Sequence, residues 1–334
     1  MRDSEGRVAY FDVLNVISCI SVVCLHCNGY IHTFNKDEWW WFRVLIEVVC
    51  YFAVPVFYML SGATLLNYRE RYSTDVFYRK RFLRTLIPFI FWGCLFYGLY
   101  LINHADGGVQ WTLIIKNFME GHIPYTAYWF FIPLFLLYIF MPFLSLMVLN
   151  MSEKLLLSLG ILLILFQSIL PTIFELLGLT ISMALPIAGY FIFALLGYLL
   201  SKSCLESNKY FYWTIAIIAV MSLIVRYYLI FSSDTKNSSL FTYFGLYSIF
   251  PALLVFLSAK KYIQNSRMSS KWAFLSKRSY GVYLIHVFII TIFVKLIDSQ
   301  TPFNIVLSVA IVYTISVCVT FILQKTPFTK FLLP

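Results

Sequence analysis

The chain has 334 residues, 61% of them hydrophobic and only 12% charged, with a mean hydropathy of +0.81 and a formal net charge of +10. An average soluble domain is about 25% charged, and a soluble core of this length cannot hide so much apolar surface, so lipid must act as the solvent. On a soluble protein the positive charge would point to nucleic acid. Here most of the basic residues fall in short loops between apolar runs, the pattern of membrane orientation, and nucleic acid is excluded as a partner.

A helix needs about 20 apolar residues to cross the hydrocarbon core. Such runs predict an all-α, polytopic bundle of about ten transmembrane helices near 10–31, 41–66, 84–103, 127–149, 155–171, 183–201, 210–231, 241–258, 279–297 and 304–324. Met1 to Arg7 is polar and carries no cleavable signal, so the first apolar run is read as a retained helix. That helix bears Asp12, Asn15 and His26. Asn15 and His26 are eleven residues apart, which at 100° per residue returns to nearly the same face about 16 Å further along the axis. A polar face running past mid-membrane is either a hydrogen-bonded seam or a functional path, and a histidine this deep favours function. Cys24 and Cys27 flank His26, but cysteine in an apolar run behaves as a small hydrophobe. Packing is preferred to a metal site there, and no metal is expected anywhere in the chain. Of the seven cysteines only Cys204 falls in a loop.

The second predicted helix opens on Trp39, Trp40 and Trp41, as an interfacial belt would, and carries Arg43 and Glu47, an i,i+4 pair able to neutralise itself. Further along it, Pro55 and Ser61-Gly62 allow close helix approach. Arg81 and Arg84 enter the third helix as R-x-x-R. The spacing puts both guanidinium groups on one face, able to grip a phosphate, although on spacing alone anchoring to headgroups is the preferred reading. The segment His104 to Thr126 is the longest loop on the opposite side, and its stretch from Val109 to Met119 is expected to lie on the membrane surface. A tight turn between Asn150 and Lys154 must separate the fourth and fifth helices. His286 lies two turns into the ninth helix, near its basic end.

Basic residues set the orientation. With a cytoplasmic N-terminus, one side receives Arg2 and Arg7, the cluster from Arg69 to Arg84, Lys154, Lys202 and Lys209. The cluster from Lys260 to Arg278, which includes Arg267, and the tail with Lys325 and Lys330 fall there too. The other side holds Lys36, Lys116 and Lys236, while Arg43, Arg226 and Lys295 sit within helices. Both termini are therefore expected in the cytoplasm.

Five ordered blocks make the chain similar to a known family. They are Phe11-Asp12-Val13-Leu14-Asn15 followed by His26; Val54 to Gly62 followed by the basic run Phe77 to Pro88; Tyr128-Trp129-Phe130 with Tyr138 and Pro142; Ala194 to Tyr198; and Ser279 to His286, which includes Tyr283. Together these resemble the membrane acyltransferase-3 family of bacterial surface polysaccharide O-acyltransferases. Asn15 stands where the family's usual first-helix arginine would be, so that arginine's role does not carry over intact. The resemblance covers nearly the whole chain and implies one transmembrane domain over 1–334, without the soluble esterase-like domain of some relatives.

The resemblance implies transfer of an acyl group, most often acetyl, from cytoplasmic acetyl-CoA to a hydroxyl of a surface glycan or lipid-linked oligosaccharide. The reaction would take place in the plasma membrane of a bacterium, with membrane lipids as the surroundings. In that reading His26 is the general base, Asp12 and Asn15 line its path, and Arg81 and Arg84 hold the CoA phosphates. Ser61 is a candidate nucleophile if an acyl-enzyme forms, and Glu47, Trp129, Tyr283 and His286 are further candidates. A secondary transporter of a glycan or lipid-linked precursor, a lipid-modifying membrane acyltransferase and a non-catalytic receptor are the competing readings. The transporter reading lacks a matched pair of broken helices in two halves.

Overall fold

A computed structural model describes residues 7–104, 110–179, 189–203, 205–234, 238–264, 270–293, 301–326, 329 and 331–333. Arg2, Cys204, Val109, Lys236, Arg267, Lys295 and Lys330, and the expected helix ends at 183–188 and 294–297, lie outside the described residues. Among the described residues the fold is all helix, with no strand. Eight helical runs are long and apolar enough to cross a membrane, from Ala9–Cys27 to Pro302–Lys325, and Phe191–Lys202 and Ser279–Phe293 are shorter apolar helices.

Helix α1 (Ala9–Cys27) is central and packs against most of its neighbours. None of its residues is exposed. The predicted second helix is two, α2 (Trp40–Cys50) and α3 (Ala53–Leu65). Pro55 explains the break: it has no N–H for the carbonyl of Tyr51, and its ring crowds that carbonyl. Of the three tryptophans expected at the interface, Trp40 is instead 3% exposed and donates to the carbonyl of Phe231 at 3.3 Å, while Trp41 is exposed.

α4 (Thr74–Arg81) runs through a wide, π-type turn at Phe82–Leu86 into α5 (Ile87–Asn103). Pro88 cannot bond to the carbonyl of Arg84, so the ladder widens just ahead of it. α6 (Trp111–Glu120) has no buried residue, exposes Trp111, Ile115 and Met119, and is tied to α5 by Asn117 donating to the Tyr97 hydroxyl at 3.0 Å. A 3₁₀ turn at Tyr128–Phe130 leads into α7 (Phe131–Asn150). Ser152, whose hydroxyl accepts from the Leu155 N–H at 3.3 Å, then caps α8 (Glu153–Ile164). A second wide turn at Leu165–Ile169, again ahead of a proline (Pro171), joins α8 to α9 (Leu170–Leu176). The remaining helices are α10 (Phe191–Lys202), α11 (Lys209–Ser232), α12 (Leu246–Ile263), α13 (Ser270–Ser276), α14 (Ser279–Phe293) and α15 (Pro302–Lys325).

Two close approaches shape the bundle. α3 and α10 touch backbone to backbone: a Cβ added at Gly62 would lie 1.8 Å from the Ala194 carbonyl oxygen, and one at Gly197 would lie 2.0 Å from that of Met59. In lipid, where apolar burial does not drive helices together, such contact between small residues supplies the packing. The second approach is between α1 and its partners α13 and α14. Asn15 bonds to Ser276 at the end of α13, and Cys19 Sγ lies 3.6 Å from the Ser279 carbonyl at the start of α14. α14 therefore begins halfway along α1, and the two helices then run in parallel.

The glycine contact yields a stability prediction. Gly62→Ala and Gly197→Ala should each cost about 1–3 kcal/mol or more, because backbone rather than a flexible side chain must move. Thermal unfolding in detergent should show a lowered midpoint for both variants; unchanged midpoints would refute the close crossing.

Candidate active site

The parallel run of α1 and α14 brings two distant histidines together. Cys19 lies beside Ser279, and two turns later on each helix, about 10 Å on, His26 lies beside His286 with ring centroids 5.1 Å apart. This corrects the expectation that His286 sits near the basic end while His26 sits deep. The segment before α14 does not stop at the level where α1 starts; α13 packs against α1 and ends beside Asn15, so α14 starts beside the middle of α1.

His286 is fully buried, and its Nδ1 lies 2.8 Å from the Tyr283 carbonyl and 3.1 Å from that of Val282. Carbonyl oxygens only accept, so Nδ1 carries the proton and Nε2 presents a lone pair. Nε2 is buried and has no hydrogen-bond partner among the described residues. His26 is half-buried.

One turn back from His286, the Tyr283 ring lies 5.6 Å away and its hydroxyl donates to the Ala127 carbonyl at 2.7 Å. Tyr283 also lines a cavity of about 650 Å³ that extends toward the basic loops. Asn15, Ser61, Arg81, Arg84 and Lys277 share its walls. Arg81 ends α4 and Arg84 sits in the wide turn before Pro88, which is how a spacing of three turns both toward one space. Arg81 stands over the rings of Phe77 and Tyr138, its centroid distances 5.9 and 5.7 Å, and neither arginine is in an ion pair among the described residues. Ser61 donates its hydroxyl to the Phe57 carbonyl at 3.0 Å, and no histidine lines the cavity beside it.

Asp12 and Asn15 hold the wall at the basic end of α1. Asp12 is ion-paired with Arg7, whose guanidinium also reaches Ser276 Oγ at 3.4 Å. Asn15 donates to the carbonyl and Oγ of Ser276 at 3.2 and 3.1 Å. Arg7 thus brings a guanidinium to the cavity that Asn15 lines. Sequence reasoning counted Arg7 only as an anchor; its place five residues before an acidic residue at the head of the helix was the available signal.

Glu47 and Arg43 are both buried, and each takes a partner from outside the pair: Arg43 donates to Asp37 at 2.7 Å, and Arg226 Nη2 lies 3.9 Å from Glu47 Oε1. Arg226 also donates from Nε to the Leu240 carbonyl at 2.9 Å. Trp129 is half-buried and stacked on Tyr243, centroids 5.5 Å apart. Neither Arg226 nor Tyr243 was singled out as a site residue from sequence. Among the described residues no group of three or more His, Cys, Asp or Glu could hold a metal ion.

A multi-pass helical membrane protein with a pair of adjacent histidines, one of them fully buried, next to a tyrosine that lines an arginine-bearing cavity has the parts for a proton-coupled group transfer. Residues 8–324 match the family model described as an acyltransferase domain, so the chain belongs to the acyltransferase-3 family and is a membrane acyltransferase. No curated protein and no solved structure matches it.

The histidine geometry makes its own prediction. Nitrogen NMR of the ¹⁵N-histidine-labelled protein should report His286 as the Nδ1–H tautomer with an unprotonated Nε2. An Nε2–H signal assigned to His286 by its loss in His286→Gln would contradict the arrangement.

Proposed function

We propose that the protein transfers an acyl group, acetyl in the simplest case, from acyl-CoA to a hydroxyl of an extracytoplasmic surface glycan or lipid-linked oligosaccharide. The membrane is the plasma membrane of a bacterium, the chain forms one domain of about ten spans, and both termini are cytoplasmic. Eight long apolar helices together with the two shorter ones support that count.

The observation that carries the reading is a line of contacts between opposite ends of α1. The cavity holding Arg81 and Arg84 reaches Tyr283, Tyr283 touches His286, and His286 touches His26. CoA phosphates are gripped by Arg81 and Arg84, whose planar forks suit phosphate oxygens. The pantetheine arm extends past Asn15 and Tyr283 and carries the thioester toward the histidines. The sugar hydroxyl gives its proton to His26 as its oxygen attacks the thioester carbonyl. The C–S bond then breaks, and the thiolate takes that proton back and leaves as free CoA. Burial excludes water, which would otherwise hydrolyse the thioester. Asp12 and Asn15 shape the path through Arg7 and Ser276 rather than by touching the reacting atoms. Ser61, tied to its own helix, has no part in the step.

Removing a general base costs about 10²–10⁴-fold in rate. His26→Ala should lose that much O-acylation of cell-surface glycan while binding acyl-CoA normally. His286→Ala should fall with it, and His122→Ala, in an exposed turn, should not. Arg81→Ala/Arg84→Ala should instead weaken acyl-CoA binding, with Lys a poor replacement. Near-normal acylation by His26→Ala, or unchanged acyl-CoA binding by a well-expressed double arginine variant, would refute the assignment.

A further inference from the structure

The cavity beside Asn15 has two unlike ends. At the basic end stand Arg7, Arg81, Arg84 and Lys277, and among the described residues none that lines the cavity is acidic. At the other end the walls are apolar: Phe57 of α3, Phe130 of the 3₁₀ turn, Phe131 and Leu134 of α7, and Tyr283 of α14. A cationic mouth and an apolar floor in one space suit a ligand with a polyanionic head and an uncharged tail. The arginines account for the head of an acyl-CoA. The floor has so far been given no role.

Three rings in a row build that floor. Phe130 stands between the other two, its centroid 6.1 Å from that of Phe57 and 5.2 Å from that of Tyr283. Its backbone carbonyl accepts from the Tyr58 hydroxyl at 2.9 Å, and the Tyr58 ring packs on it with centroids 4.8 Å apart. Two residues back, Tyr128 donates to the Leu284 carbonyl at 3.0 Å. The turn that carries Phe130 is therefore fastened to α3 on one side and to α14 on the other. A ring packed between neighbours and held at its backbone cannot swing aside for a longer ligand, because close-packed interiors respond to a change of even one methylene. Phe130 is a fixed stop.

Tyr283 relates the floor to the reaction, since its ring also touches that of His286. A thioester that reaches Tyr283 turns its carbonyl toward the histidines and lays its acyl chain against Phe57 and Phe130. We propose that Phe57, Phe130 and Tyr283 form the acyl subsite and that Phe130 sets the chain length, admitting acetyl and shutting out butyryl. The cavity, about 650 Å³, has the size usual for a drug-sized ligand, and the phosphopantetheine arm of CoA is already such a ligand. What remains for the acyl chain is only the space that Phe130 leaves. Phe130 is thus a specificity-determining residue that touches the acyl group and takes no part in proton transfer. The assignment rests on the acyl-transfer reading and adds what selects the acyl group.

Competition between two donors tests it, in permeabilised membranes of the producing cell that keep their own carbohydrate acceptor. Acetyl-CoA and butyryl-CoA, differently radiolabelled, are mixed in one reaction, and the ratio of the two esters is read. That ratio does not depend on how much of a variant folds. One methylene in an apolar pocket discriminates by about 10–200-fold, so two should let the unaltered protein favour acetyl by about a hundredfold or more. Phe130→Ala and the milder Phe130→Leu should cut that preference about tenfold, and Phe57→Ala should move it in the same direction. Phe89→Ala empties as much core beside Phe131 without lining the cavity, and should leave the ratio unchanged. An unaltered protein that uses butyryl as readily as acetyl would overturn the subsite. So would a ratio that stays put in both Phe130 variants, or one that moves as far in Phe89→Ala. No ester from either donor with the unaltered protein overturns the transfer reading and the subsite with it, whereas ester formed at an unmoved ratio defeats only the subsite.

Discussion

The amide of Asn15 holds the end of α13 against the first half of α1, through the carbonyl and hydroxyl of Ser276. The level at which the two histidines meet depends on that contact, because it sets where α14 begins. With Ser279 at the level of Cys19, the two helices advance in register, and two turns later the histidines meet. An α14 that started level with the head of α1 would leave His286 two or more turns short of His26. Arg7 reinforces the same join by linking Asp12 to Ser276. The polar residues near the head of α1 thus act on the position of the histidines through structural contacts.

Around this join the protein uses devices suited to lipid. Gly62 and Gly197 bring α3 and α10 into backbone contact, and α3 in turn packs along α1. The 3₁₀ turn at Tyr128–Phe130 is pinned to α14 by two phenol bonds, Tyr128 to the Leu284 carbonyl at 3.0 Å and Tyr283 to that of Ala127 at 2.7 Å. Those bonds fasten the residues on either side of the turn to the helix that carries His286. Prolines 55, 88 and 171 each follow a break or widening, and the widening before Pro88 directs Arg84 toward the cavity.

The helices were legible because hydrocarbon thickness is a one-dimensional constraint: runs of about 20 apolar residues must appear in any chain that spans it. Gly62 was legible too, as part of a small-residue pair that permits close crossing, whereas the block around Gly197 stood out only by its resemblance to the family and its contact with Met59 needed coordinates. The pairing of helices was not. Nothing in the loop before Ser279 says that it packs along α1, so the depth of His286 was misjudged by counting from the loop. Glu47 was matched to Arg43 because they are one turn apart, yet Arg226 comes from another helix and helical periodicity carries no information about it. Trp40 looked interfacial by composition and is buried because α11 covers it. Membership of the acyltransferase-3 family was readable from ordered blocks, while the approach of the Arg7 guanidinium to the cavity that Asn15 lines needed coordinates.

The central claim is that the acyl group crosses from the arginine end of α1 to the histidine end. Sealed membrane vesicles of defined orientation measure this directly. Inside-out vesicles should consume acyl-CoA supplied from outside and deposit the O-acyl ester on carbohydrate in their lumen. Right-side-out vesicles should leave external acyl-CoA untouched until they are permeabilised. Equal use of acyl-CoA from either face, or ester formed on the face that received the donor, would contradict the account.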